Sequence, residues 1–289
     1  MKSQSLVDLT DKTAIITGGA GMIGRVYTSV LLQSGANVIV LDKKINKKKL
    51  IEILKKENKG INLDSENLRL IECDITNPQK IKQVFRKIKP YLLNLKILIN
   101  NASLVKQVKN SSDLISTYKP FLKMNPNDWE EYLSVDISGS LIISQQAIPF
   151  MKKNNGGSIV NISSTYGILS PDQRLYDYFN KKLSKKEKDL GITIEKPIGY
   201  SISKSAVLNM TRFLATKFAD DNIRVNTLTL GGVYADNPAA FVKEYSKRTH
   251  LGRMADKLEY AGPLLFLVSD MSSYMTGSNL IIDGGWSAW

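Results

Sequence analysis

Seven short apolar runs rich in β-branched residues recur along this chain, and each of the first six is followed by a stretch of helical period. The runs are Ala14–Thr17, Val38–Leu41, Leu68–Cys73, Ile97–Asn100, Ser158–Ile162, Val225–Leu230 and Leu280–Ile282. The helical stretches are Met22–Ser34, Asn46–Asn58, Gln79–Ile88, Asp128–Lys152, Tyr200–Asp220 and Asp256–Ser269. A strand that is apolar along its whole length, instead of at alternate positions, is buried on both faces. Such strands alternating with helices predict right-handed βαβ units and an α/β architecture, a seven-stranded parallel sheet between two layers of helix.

No internal repeat and no Pro/Gly/Ser-rich linker divides the 289 residues, so residues 1–289 are read as one domain. Residues 102–127, 165–199 and 234–257 are too long for simple turns and are expected to form lids. The first two follow the C-terminal ends of strands, where open α/β sheets bind ligands. A single cysteine, Cys73, excludes an internal disulfide framework and a thiolate zinc cluster. A single histidine, His250, argues against a histidine metal centre, and no metal is expected. Met1 to Lys12 has no apolar run of the kind a secretion signal needs, and no run of 18 apolar residues follows. A soluble, cytoplasmic protein without membrane partners is expected.

Forty basic residues against 27 acidic ones leave a net charge of +13. Arginine, the usual reader of bases, supplies only eight of the forty, so a nucleic-acid partner is not expected. The surplus falls in three windows: Lys43–Lys59 (net +6), Arg174–Lys188 (+4) and Lys243–Lys257 (+3). Two of them lie in the expected lids and favour an anionic small molecule.

The first run leads into Thr17-Gly18-Gly19-Ala20-Gly21-Met22-Ile23-Gly24. Gly19, Gly21 and Gly24 satisfy G-x-G-x-x-G between a strand and a helix, the context in which a backbone cradles a pyrophosphate at a helix N-terminus. Asp42 closes the second run, 18 residues after Gly24. A carboxylate there accepts ribose hydroxyls and repels a 2′-phosphate, which favours NAD over NADP. Lys43 and Lys44 follow at once and offset that repulsion, so NADP stays open. Further on, Tyr200-Ser201-Ile202-Ser203-Lys204 places Tyr200 and Lys204 four residues apart on one helix face. An ammonium that close favours phenolate over phenol, as a tyrosine needs if it is to exchange a proton near neutral pH.

These motifs, with Cys73-Asp74, Asn100-Asn101-Ala102-Ser103, Ser163-Ser164, Ile223-Arg224-Val225-Asn226, Leu230-Gly231-Gly232 and Ile282-Asp283-Gly284-Gly285-Trp286, closely resemble the short-chain dehydrogenase/reductase family from about Leu9 to Gly285. The resemblance implies a doubly wound Rossmann fold and a Tyr-Lys-Ser mechanism with a bound nicotinamide cofactor. Tyr200 would exchange a proton with the substrate oxygen, Lys204 would assist it and hold the nicotinamide ribose, and Ser164 would hydrogen-bond the substrate. Gly18, Gly21, Met22, Ile23, Gly24, Asp42, Asp74, Ile75, Asn101, Ala102, Gly231 and Val233 complete the implied cofactor set. The resemblance also implies a homodimer or homotetramer through the helices carrying Asp128–Lys152 and Tyr200–Asp220.

The chain departs from the family pattern at Met22, Ser103, Leu230 and Asp136. Met22 replaces the usual middle glycine, and the resulting T-G-x-x-G-x-x-G form looks like the nucleotide-sugar epimerase branch. Asp136 stands where the family carries the asparagine of a proton relay. A sugar-nucleotide epimerase or dehydratase with tightly held NAD, and a non-catalytic NAD-binding regulator, are therefore alternatives to an alcohol–ketone oxidoreductase. On the substrate side Thr165, Asp172, Gln173, Arg174 and Tyr176 offer hydrogen bonds and a guanidinium for a polar, anionic carbohydrate-type substrate. The order S-T-Y-G, P-D-Q-R-L-Y and L-G-R-M is similar to family members of bacterial surface-carbohydrate and flagellin-glycan biosynthesis.

Overall fold

Adjacent residues of each central strand face opposite cores. Ile15 and Ile16 are both fully enclosed, yet Ile15 belongs to the core that holds Phe85, Ile143 and Val207 while Ile16 belongs to the one that holds Tyr27, Leu31 and Leu264. Ile39 and Val40 divide in the same way. Burial on both faces is the physical reason these segments carry no polar alternation.

The computed structural model describes residues 7–57, 67–104, 106 and 111–289. Its strands are β1 (Thr13–Thr17), β2 (Asn37–Asp42), β3 (Leu68–Glu72), β4 (Leu95–Asn100), β5 (Gly157–Ser164), β6 (Ile223–Leu230) and β7 (Asn279–Ile282). They form one parallel sheet in the order β3-β2-β1-β4-β5-β6-β7, with Ile15 level with Ile39 on one side and Leu98 on the other. The chain reverses its direction of winding between β1 and β4, so their C-terminal ends open a crevice at Gly18 and Asn101.

Helices cover both faces: α1 (Met22–Gln33), α2 (Lys47–Glu57), α3 (Pro78–Ile88), α4 (Ser111–Thr117), α5 (Asn127–Leu133), α6 (Ser140–Lys153), α7 (Asp177–Lys181), α8 (Lys185–Asp189), α9 (Ile198–Lys217), α10 (Ala239–Ser246) and α11 (Ala261–Val268). No described helix is long and apolar enough to cross a membrane. Asn58 and Lys59, at the expected ends of the second helix and the first basic window, lie outside the described residues, as do residues 105 and 107–110 of the first expected lid.

Two expected helices are not continuous. Asp128–Lys152 is interrupted by a π-helical segment, Ser134–Gly139, between α5 and α6. A π turn carries an extra residue, and here it buries Asp136, a residue an uninterrupted amphipathic reading leaves unexplained. The stretch from Asp256 opens with a 3₁₀ turn, Lys257–Tyr260, before α11 begins.

The segment 165–199 is braced against itself. The Gln173 side chain accepts from the Lys196 N–H at 2.9 Å and donates to the Lys196 carbonyl at 3.4 Å. Asn180 does the same to Ile194, at 2.7 and 2.9 Å. Asp172 accepts from Arg248 Nε at 2.5 Å, which ties this segment to the one carrying α10.

Candidate active site

At the crevice lies a cavity of about 720 Å³. One end is built by the glycine loop. Gly18 has a φ of +66°, and a Cβ there would stand 2.8 Å from the Cα of Ala102. A Cβ on Gly24 would stand 2.1 Å from the Gly18 carbonyl oxygen, so the helix start packs onto the loop only because Gly24 has no side chain. Gly21 is the N-cap of α1 and supplies no capping side chain. The N–H groups of Met22, Ile23 and Gly24 are thus left for an anion, and all three residues line the cavity.

Thr17 and Asn101 lock the two sides of the crevice together. The Thr17 hydroxyl accepts from the N–H groups of Asn101 and Ala102, both at 3.1 Å, and Asn101 Nδ2 donates to the carbonyls of Thr17 and Gly18. Asp42 lines the wall and accepts from the Ala20 N–H at 3.0 Å through one oxygen. Lys43 and Asp74 form an ion pair at 2.8 Å across the same end. A tight glycine cradle, free helix N–H groups and a carboxylate at the end of β2 together fit a dinucleotide.

The other end is set by α9, which starts immediately after Pro197 and presents Tyr200 and Lys204 on one face. Lys204 is buried, its Nζ 5.7 Å from the Tyr200 ring centroid, and donates to the Ile162 carbonyl at 3.1 Å. Behind it the Asp136 carboxylate, enclosed on all sides, lies 3.6 Å from the ammonium and accepts from Ser203 at 2.6 Å. Both serines ending β5 line the cavity; Ser163 spends its hydroxyl on the Lys204 carbonyl at 2.8 Å, whereas Ser164 caps the following turn by accepting from the Tyr166 N–H. Tyr166, Tyr176, Phe241, Tyr245 and Met254 wall the space around Tyr200. Trp286 supports that wall from behind, stacked on Tyr245 at 4.5 Å and edge-on to Tyr166 at 6.4 Å. Burial pushes the Tyr245 hydroxyl up to about 12, against the backbone hydrogen bond from Gly232.

A family model described as short chain dehydrogenase matches residues 12–178, more than half the chain, and one described as Enoyl-(Acyl carrier protein) reductase matches residues 190–287. The chain belongs to the short-chain dehydrogenase/reductase family. A relative from Thermotoga maritima, 3-oxoacyl-[acyl-carrier-protein] reductase FabG, is 31% identical over 282 residues, 96% of this chain and 98% of the relative. Post-translational flagellin modification protein A of Campylobacter coli is 28% identical over 285 residues, 96% and 99% of the two chains. Among solved structures, a short chain dehydrogenase from Leptospira borgpetersenii with bound NAD+ is 29% identical and superposes with a TM-score of 0.77, covering 97% of this chain and 94% of that one. Members of the family are NAD(P)-dependent oxidoreductases, and this short-chain dehydrogenase/reductase is one of them.

Every residue in the expected cofactor set of this short-chain dehydrogenase/reductase lines the one cavity: Gly18, Gly21, Met22, Ile23, Gly24, Asp42, Asp74, Ile75, Asn101, Ala102, Tyr200, Lys204, Gly231 and Val233. Ser164, Thr165 and Tyr176 line it as well. Asp136 does not; it stands behind Lys204. Three expected substrate residues lie elsewhere. Asp172 holds Arg174 at 2.8 Å and Arg248 at 2.5 Å, Gln173 is spent on the Lys196 backbone, and the Arg174 side chain is 79% exposed outside the lining. The expected guanidinium clamp is instead an ion pair within segment 165–199, because a carboxylate two residues away is nearer than any ligand. Pairing also consumes much of the third basic window, where Lys247 and Arg248 meet Glu244, and Arg253 meets Glu259.

Lys196, Asn237, Phe241, Tyr245 and Met254 line the cavity, and Ser203 holds Asp136, without an expectation from the sequence. Lys196 is the most informative, its Nζ 3.7 Å from the Tyr200 ring centroid. Its available signal was its place directly before Pro197 and four residues before Tyr200. The α10 residues had none, since only the tertiary fold brings that helix to the cavity.

Proposed function

We propose that this enzyme interconverts a secondary alcohol and a ketone on a polar, anionic substrate of carbohydrate type, with NAD as its preferred dinucleotide. The observation that carries the reading is the meeting of Tyr200, Lys204 and Ser164 with an aromatic wall at one end of a cavity whose other end fits a dinucleotide. Bound nicotinamide supplies or accepts a hydride. The loop from Gly18 to Gly24 would hold the pyrophosphate, and Asp42 the adenosine ribose. Asp74, Ile75, Asn101 and Ala102 would border the adenosine half. Gly231 and Val233 would present backbone to the carboxamide.

The work of this chain is proton handling and orientation. Tyr200 exchanges a proton with the substrate oxygen through its hydroxyl, and Ser164 hydrogen-bonds the same oxygen. Lys204, anchored by the Ile162 carbonyl and Asp136, holds its charge beside Tyr200. Thr165 and Tyr176 border the substrate, and aromatic rings receive the apolar C–H face of a sugar while a few polar groups orient it. Outward-facing Ile202 and Phe213 on α9 support pairing of two copies through that helix.

The test is a panel of polyols, sugar acids, sugar phosphates and nucleotide sugars with NAD and NADP, following absorbance of the reduced nicotinamide. Tyr200→Phe is expected to lower turnover by about 10²- to 10⁴-fold while NAD still binds in calorimetry. Equal turnover of steroid or fatty-acyl substrates would overturn the carbohydrate assignment. NAD retained through dialysis without net reduction would point to the epimerase chemistry instead.

A further inference from the structure

We infer that Lys196 is the anion-recognising residue of the substrate site, and that the substrate carries its carboxylate or phosphate within two or three bonds of the carbon that changes oxidation state. The inference rests on the alcohol–ketone reading above and narrows its substrate class.

Among the described residues three lysines line the cavity, Lys43, Lys196 and Lys204. Lys43 is neutralised by Asp74 at 2.8 Å, and Lys204 has Asp136 at 3.6 Å. Lys196 has no carboxylate within ion-pair distance among the described residues, and its ammonium meets only ring faces: Tyr200 at 3.7 Å and Tyr166 at 5.8 Å from the centroids. A cation over a ring is attracted by the π-face but has found no hydrogen-bond acceptor there, so its N–H donors remain to be used.

The lysine is mounted firmly. Both backbone polar groups of Lys196 are clasped by the Gln173 amide, at 2.9 and 3.4 Å. The next residue, Pro197, is the N-cap of α9, and its carbonyl accepts from the Tyr200 N–H at 3.1 Å. Lys196 and Tyr200 are therefore held one helical turn apart on a rigid support. That assigns Gln173, expected to touch substrate, the task of positioning the lysine.

Distance fixes the chemistry. The Tyr200 hydroxyl lies one C–O bond beyond the ring over which the ammonium stands. A substrate oxygen hydrogen-bonded to that hydroxyl is thus only a few ångströms from an anion hydrogen-bonded to Lys196. Short hydroxy acids, sugar acids and sugar phosphates with the charge next to the carbinol satisfy both contacts at once. A nucleotide sugar reacting several carbons from its diphosphate does not.

Two measurements test this. The first compares kcat/KM for hydroxy acids of three to six carbons with that for their methyl esters, with sugar phosphates as a second arm that separates carboxylate from phosphate. Losing a charge-assisted hydrogen bond costs about 10- to 100-fold. Lys196→Met is expected to lower the acid-to-ester ratio by that factor, carried mainly in KM, and Lys196→Arg to restore most of it. An unchanged ratio overturns the inference. The second measures malonate binding to the NAD-loaded protein by isothermal titration. A Kd at least tenfold higher in Lys196→Met supports the anion site. No binding by the unsubstituted protein, or equal binding by the variant, overturns it. Malonate binding that depends on Lys196, with no alcohol or ketone turned over, keeps the anion site and sinks the alcohol–ketone reading instead.

Discussion

Ser203 donates its hydroxyl to Oδ2 of Asp136 at 2.6 Å, one residue before Lys204 on α9. The same carboxylate oxygen lies 3.6 Å from the Lys204 ammonium, and Asp136 is enclosed on all sides. Its other oxygen, also buried, has no hydrogen-bond partner among the described residues. A charge taken wholly out of water is tolerated only beside its counter-charge and with hydrogen bonds to it. The pair therefore braces the lysine that stands beside Tyr200, and the π segment exists where the brace is needed.

Asp136→Ala is expected to destabilise the fold by about 3–5 kcal/mol, because it leaves Lys204 buried beside an apolar side chain. Asp136→Asn keeps an acceptor for Ser203 and is expected to cost less. Urea unfolding of both, with Ser203→Ala and the double variant, checks this. Strict additivity of Asp136→Asn and Ser203→Ala would show that the two side chains do not act together.

Asp42 governs the choice of dinucleotide in the proposed reading. Asp42→Ser is expected to shift the kcat/KM ratio of NADP to NAD upward by about 10- to 100-fold, since a like-charge clash costs a few kcal/mol. Lys43, exposed beside the same wall and paired with Asp74 at 2.8 Å, would have to leave that carboxylate to meet a 2′-phosphate. An unchanged ratio in steady-state kinetics would remove Asp42 from this role.

Cys73 lines the cavity next to Asp74 and is 2% exposed. Burial pushes its thiol up to about 11. The thiolate is the reactive form, so at pH 8 only about one thiol in a thousand is ready to react. Alkylation by iodoacetamide, followed by mass spectrometry, is expected to be slow at neutral pH, to rise about tenfold per pH unit toward 11 and to be suppressed by saturating NAD. Rapid labelling at pH 7 would contradict the assignment.

The Arg174 guanidinium, joined by Arg248 and opposed by burial, holds the Asp172 carboxyl well below the usual carboxylate range. In the unfolded chain that carboxyl takes up its proton near pH 3.9, so on acidification the unfolded state binds the proton first. The stabilisation is complete above about pH 4–5 and is lost as pH falls toward the lower, folded value. Asp172→Asn is expected to flatten the dependence of unfolding stability on pH between about 4.5 and 2. A slope equal to that of the unsubstituted protein would show that the bridge from Asp172 to Arg174 and Arg248 contributes nothing.

The glycine loop, Asp42 and the Tyr200–Lys204 pair were legible because each depends on short-range geometry: a backbone conformation, the end of a strand, one turn of helix. Arg174 misled for a related reason. A basic residue in a long loop reads as a clamp, yet Asp172, two residues away, takes it first. Lys196, Tyr245 and Phe241 were illegible because loop and helix residues reach the cavity only once segments 165–199 and 234–257 pack beside it.

Sequence by itself determined the sheet, since apolar residues without alternation can be satisfied only between two layers of helix, and it determined the tight glycine loop, since glycine alone tolerates the approach of Gly24 to Gly18. Only the tertiary structure decided which charges are free. An ion pair forms between whichever groups the fold brings within a few ångströms, and that proximity is not written in spacing along the chain. Hence Arg174 is spent, Lys204 is braced by a carboxylate 68 positions earlier, and Lys196 stands over the Tyr200 ring with no carboxylate partner among the described residues.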